Sequence, residues 1–114
     1  MIERLRGRSA FARLRADGVR ADHGLLWVRF LSDPSLNAAR VAYALPRQAG
    51  PAVIRNKVRR RLREIVRGLD QESPSGLPTG LYLIGTKRGA AQFSYVDLRI
   101  SLEACLAKLE RTEP

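Results

Sequence analysis

The sequence predicts an α+β fold, a two-layer sandwich in which three helices pack a small mixed β-sheet of about four strands. Three observations predict it. The stretch from Gly50-Pro51 to about Leu69 repeats its apolar residues at helical spacing, and shorter stretches around 25–31, 40–45 and 81–86 read as strands. Their order, helix–strand–strand–helix–strand–helix, suits helices laid over a sheet. At 114 residues the chain makes one domain, 1–114, with a single modest core.

Ser9 stands where it can cap a first helix running through Asp17, and Gly18 follows at a left-handed cap position. Phe11 and Leu14 face inward from it, leaving Arg13 and Arg15 at the surface. Asp22-His23-Gly24 reads as a turn. In Leu25–Leu31, Leu26, Val28 and Phe30 share one face, and Leu25, Trp27, Arg29 and Leu31 the other. Turn formers fill 32–37, and Arg40–Leu45 forms the next strand, expected to pair antiparallel with its predecessor. Pro51 sits near the first turn of the second helix, where a missing N–H is harmless. Leu81–Thr86 is nearly apolar throughout and so belongs at the sheet centre, with Lys87-Arg88-Gly89 as its exit. Ser94 and Asp97 resemble a capping box, with Asp in place of the usual Glu or Gln. The last helix then turns Leu98, Leu102, Cys105 and Leu109 inward.

Charge is the second theme. The formal net charge is +10, which favours phosphate-rich partners. Residues 1–67 hold sixteen Lys/Arg against five Asp/Glu, whereas 68–114 hold five against six. The densest run is Ile54–Arg67, with seven basic residues and one acid, Glu64. At about 100° per residue, Ile54, Val58, Leu62, Ile65, Val66 and Leu69 gather on one side of a helix. Asn56, Arg60, Arg63 and Arg67 centre the opposite side, with Lys57 and Arg59 beside them. A solvated face normally mixes signs, because like charges one turn apart oppose the helix. This face is built for a polyanion.

Side-chain catalysis needs a nucleophile with its base, paired carboxylates or a metal cluster. The chain offers one histidine, His23, one cysteine, Cys105, and acids scattered over loops and helix ends. No catalytic residue, metal ligand set, disulfide or phosphate-binding glycine loop emerges. No membrane-length apolar stretch or signal peptide appears, so a cytoplasmic location is expected.

The segment 52–64, AVIRNKVRRRLRE, resembles the Arg-Asn-Arg signature helix of the bacterial ribonuclease P protein component. Flanking elements resemble the same family in order: Leu5, Phe11 and Gly18, then Arg40-Val41-Ala42-Tyr43, then Leu81–Arg88, then Tyr95 through Leu109. The resemblance implies a small basic cofactor of a catalytic RNA that removes the 5′ leader of precursor tRNA. It also implies a left-handed βαβ crossover, Mg²⁺ bound mainly by the RNA, hydrolysis by RNA-borne groups, and no obligate protein partner. Carried over by position, Arg55, Asn56, Lys57, Arg59, Arg60 and Arg63 would meet the catalytic RNA, with Arg67 beside them on the same helix face, and Lys87 and Arg88 could approach RNA. Phe11, Arg15, Trp27 and Arg29 fall where the family lines a cleft for the single-stranded leader. Pro46-Arg47-Gln48 departs from the family's Ser-Lys-Lys-like segment, and Arg15 and Arg29 stand where aromatic residues are frequent. From the residues alone, a structural RNA-binding protein or a DNA-binding helix remains an alternative, because phosphate contacts do not distinguish the polymers.

Overall fold

The computed structural model describes residues 1–89 and 92–112. In chain order it forms β1 (Ile2–Arg4), α1 (Arg8–Asp17), β2 (Val19–His23), β3 (Leu26–Ser32) and β4 (Ala39–Ala44). A 3-10 turn, Arg47–Ala49, leads into α2 (Ala52–Glu72), followed by β5 (Gly80–Thr86) and α3 (Tyr95–Thr112). The strands lie in the order β1-β4-β5-β3-β2. β1, β4 and β5 run parallel, while β3 is antiparallel to both β5 and β2. The sheet is therefore mixed, as expected, but has five strands rather than about four.

The two unanticipated strands are the edges. β1 reads Ile-Glu-Arg and β2 buries only Ala21, so neither carries the apolar alternation that marks a half-buried strand. The expected antiparallel pair does not form. β5 lies between β3 and β4, because a strand buried along nearly its whole length belongs in the middle of a sheet covered on both sides. β4, α2 and β5 thus make a parallel βαβ unit.

α2 and α3 cover one face. Val58, Leu62, Ile65 and Val66 of α2 and Leu98, Leu102, Cys105 and Leu109 of α3 join Leu26, Val28, Phe30, Val41, Tyr82 and Ile84 in the main core. The Phe30 and Tyr82 rings stack at 4.6 Å within it. α1 lies on the opposite face, where Leu5, Leu14 and Leu81 form a smaller cluster with Phe11, Ala42 and Leu83 packed on it. Cys105 is fully buried, and burial pushes its thiol pKa up.

Several boundaries differ from expectation for local reasons. α1 begins at Arg8 with Gly7 at its cap position, and Ser9 lies inside the helix without capping it. Gly18 is extended (φ −72°, ψ 153°) rather than left-handed. Its requirement is space: a Cβ there would stand 2.4 Å from the Leu14 carbonyl oxygen. Pro51 precedes α2, its carbonyl accepting the N–H groups of Ile54 and Arg55 at 3.0 and 2.9 Å. α2 continues past Leu69 to Glu72, its last turn tied down where Asp70 accepts the Leu77 N–H at 2.8 Å. The capping box is present as read: Ser94 N–H donates to Asp97 Oδ2 at 3.3 Å, and Asp97 N–H donates to Ser94 Oγ at 3.1 Å. His23 ends β2 instead of sitting in a turn, its Nδ1 3.4 Å from Ser101 Oγ. Among the described residues, no helix is long and apolar enough to cross a membrane.

Candidate nucleic-acid interface

The 3.6-residue period of α2 separates core from surface. Val58, Leu62, Ile65 and Val66 are at most 3% exposed. On the other side Asn56, Lys57, Arg60, Arg63 and Arg67 are exposed, and Arg55 and Arg59 are half-buried. Among the described residues none of these cations meets a carboxylate. The ion pairs lie elsewhere, joining Arg13 to Asp33, Arg20 and Lys87 to Asp22, Arg40 to Glu3, Arg99 to Glu72 and Glu103, and the amino terminus to Asp70. A side-chain bond on the face has a neutral partner, Arg59 Nη1 donating to Asn56 Oδ1 at 2.7 Å. Arg61 turns away and donates to the Phe93 carbonyl at 3.5 Å. Arg55 Nε is buried with no hydrogen-bond partner among the described residues.

Arg59, Arg63 and Arg67, spaced one turn apart, form a wall of a groove of about 1140 Å³. Tyr43 of β4 lies in it, with Arg4 and Arg6 from the β1 side and Phe11 from α1. The Arg63 guanidinium sits 5.9 Å from the Tyr43 ring centroid, within cation–π range. Burial pushes the Tyr43 phenol up to about 12, although Arg63 and Arg67 pull it back. Arg4, Arg6 and Tyr43 are groove residues that the sequence does not single out. The first two end or follow a strand too short and polar to notice, and Tyr43 shares a strand face with buried Val41, so it passes for core.

The expected leader-binding set is split. Phe11 reaches the groove, whereas Arg15, Trp27 and Arg29 do not line it. Arg15 is exposed on the last turn of α1. Arg29 Nη1 donates to the Arg15 carbonyl at 3.3 Å, placing a cation at the negative end of that helix. Trp27 is half-buried and opposite Gly85 in the β3–β5 register. A Cβ on Gly85 would fall 2.1 Å from the indole Cε2 and Cζ2, so the ring rests where only glycine leaves room. The Arg20 guanidinium lies 4.6 Å from the indole centroid. Arg20 Nε and Nη2 donate to the two oxygens of Asp22 at 2.9 and 3.2 Å, and Lys87 Nζ pairs with Asp22 Oδ2 at 2.9 Å. These bonds hold the Asp22 carboxyl down at about 2, the Arg20 bond contributing most. Arg88 is exposed beyond β5.

Among the described residues no three His, Cys, Asp or Glu side chains converge to hold a metal ion, and Asp22 already has both oxygens engaged by cations. The donor set does not fit a protein-borne Mg²⁺ centre.

Fold and surface define a class: a small α+β protein with an arginine-rich helix face that forms no ion pair among the described residues. The family model for Ribonuclease P matches residues 2–110. The chain belongs to the ribonuclease P protein family. It is 38% identical over 105 residues to a ribonuclease P protein component of Thermus brockianus, covering 91% of this chain and 58% of that protein. A relative from Nocardioides is 36% identical over 109 residues, covering 93% of this chain and 90% of its own. The chain thus spans under two thirds of the length of some relatives, including 61% of one from Gluconacetobacter diazotrophicus. An RNase P protein from Thermotoga maritima superposes with a TM-score of 0.76 at 25% identity, over 98% of this chain and 99% of that one. The Staphylococcus aureus protein gives 0.79 at 21% identity over 93% and 95%, a likeness of fold.

Proposed function

We propose that this chain is the protein subunit of a ribonuclease P ribonucleoprotein, binding the catalytic RNA and the 5′ leader of precursor tRNA during tRNA 5′ maturation. The family membership supports the role, and one observation carries the RNA-binding part. α2 keeps Lys57, Arg60, Arg63 and Arg67 exposed and outside any ion pair among the described residues, on a helix pinned to the sheet by Leu62 and Ile65. Like charges on consecutive turns repel, and a row of phosphates relieves that repulsion while releasing condensed counterions. Over roughly 16 Å of helix, at about 1.5 Å per residue, the face spans several phosphates. In this reading the hydrolytic groups and Mg²⁺ belong to the RNA, the holoenzyme acts in the cytoplasm, and the protein supplies affinity and position. Lys87 and Arg88 would flank the substrate, while Phe11, Arg15, Trp27 and Arg29 would lie along the leader.

Reconstitution tests it. Added to a bacterial ribonuclease P RNA at low Mg²⁺, the protein should restore leader cleavage of precursor tRNA. Tight RNA binding without any gain in cleavage would instead mark a structural RNA-binding protein, and equal competition by duplex DNA would mark a general polyanion binder.

A further inference from the structure

On the face of the sheet opposite α2 and α3, the chain's only tryptophan is capped by the protein itself. The β2–β3 register sets Arg20 opposite Arg29 and Asp22 opposite Trp27. Like charges directly across a strand pair repel, so each arginine needs a separate outlet. Arg29 finds the carbonyl of Arg15 at the end of α1, and Arg20 finds Asp22. Asp22 also draws in Lys87 from the exit of β5, and Lys108 Nζ donates to the Asp22 backbone carbonyl at 2.6 Å, pinning that point of β2 to α3. One carboxylate therefore holds two cations, one of them over the indole.

The geometry points to Asp22 as an affinity- and selectivity-setting residue, an internal stand-in for phosphate that keeps Arg20 over Trp27 until single-stranded RNA displaces it. This rests on the proposed RNA-binding role and deepens it. A base needs an aromatic face to stack on, and a phosphate needs a free cation beside it. Here both are taken by the protein's own groups. An incoming strand must exchange the Asp22 carboxylate for a phosphate on Arg20 and Lys87, and the guanidinium for a base on Trp27. Short or poorly placed strands do not make both exchanges and are rejected. The exchange is feasible because Arg20, Asp22 and Lys87 are 41%, 41% and 43% exposed, so no buried charge is stranded when they part.

Asp22→Asn frees both cations with little change of shape. In that variant the affinity for a fluorescently labelled single-stranded RNA, read by anisotropy, should rise roughly fivefold. The slope of log K against log salt should steepen by up to about 1.4, at about 0.7 for each of two phosphates on a single strand. Trp27 fluorescence, a reporter with no competing tryptophan, should be quenched at lower RNA concentration than in the wild type. Arg20→Ala should leave Trp27 more open to acrylamide in the free protein, and Asp22→Glu should restore tight capping. Unchanged or weakened RNA affinity in Asp22→Asn overturns the inference. So does anisotropy that rises with no change in Trp27 fluorescence, although RNA binding itself would then stand. If anisotropy stays flat for both proteins even at low salt, the RNA-binding role falls and the inference with it.

Discussion

The exposed face of α2 and the Trp27 face of the sheet are both rich in cations, yet their charges are in different states. On α2, Lys57, Arg60, Arg63 and Arg67 meet no acid among the described residues. Around Trp27, Arg20 and Lys87 share Asp22, and Arg29 is committed to the end of α1. A count of Lys and Arg treats the two faces alike. Their available charge differs, because a cation already paired must lose its partner before a phosphate can take it. Under the proposed RNA-binding role, the first face would bind directly and the second by exchange.

The difference rests on supports that can be removed one at a time. The largest effect should come from Leu62→Ala. Leu62 is fully buried between α2 and the sheet, and truncating it should cost about 2–5 kcal/mol of stability. A urea titration should show a lower midpoint, with RNA binding lost alongside folding; an unmoved midpoint would mean that α2 is not held as described. Gly85→Ala should act on the other face alone. Its Cβ collides with the Trp27 ring, so the indole must leave β5 at a cost of about 1–3 kcal/mol. The tryptophan emission maximum should shift red, while the affinity carried by α2 stays close to that of the wild type.

α2 is legible in the sequence because two independent periodicities, apolar and basic, coincide on one helix, and the structure separates them onto opposite sides as read. β5 declares itself by burial along nearly its whole length. The edges do not. β1 and β2 are short and polar because edge strands bury little, so the strand count and the neighbours of β3 and β4 could not be inferred. Trp27 is visible as an aromatic beside Arg29, but its capping depends on Arg20 and Asp22, which belong to the strand that carries no signal. Long-range pairings such as Lys87 with Asp22 follow from sheet order, and sheet order has no local signature. Gly18 stands out in the sequence for the wrong reason: its need is room beside Leu14 and Arg29, not a left-handed backbone.

Next in size is the double variant Arg60→Ala with Arg63→Ala. Both side chains are exposed and form no ion pair among the described residues, so the urea midpoint should hardly move, within about 0.5 kcal/mol. Affinity for a ribonuclease P RNA should fall, and the slope of log K against log salt should flatten by nearly one unit for each phosphate left without its arginine. A slope that stays put would detach the α2 face from RNA docking and erase the contrast between the two regions.

The smallest expected effect separates the faces by pH. Asp22 is held at about 2 in the fold, below the ordinary carboxylate value of 3.8, first by its bond to Arg20 and then by Lys87. A carboxyl with a depressed folded pKa adds stability that is fully present above the unfolded value and is lost as pH falls through the folded one. The wild type should therefore hold an advantage over Asp22→Asn at about pH 5 and lose it near pH 2. Solvent screening of so exposed a cluster limits the gap to at most about 1 kcal/mol. Other depressed carboxyls, such as Asp70 and Glu72, lower the stability of both proteins together in the same range, so only the difference between wild type and variant isolates Asp22. Arg60→Ala supplies the contrast on α2. Arg60 is held by no such ion pair among the described residues, so its difference from the wild type should change far less across the same pH range. A gap for Asp22→Asn that persists unchanged at pH 2 would mean that Asp22 does not hold Arg20 and Lys87 through its charge.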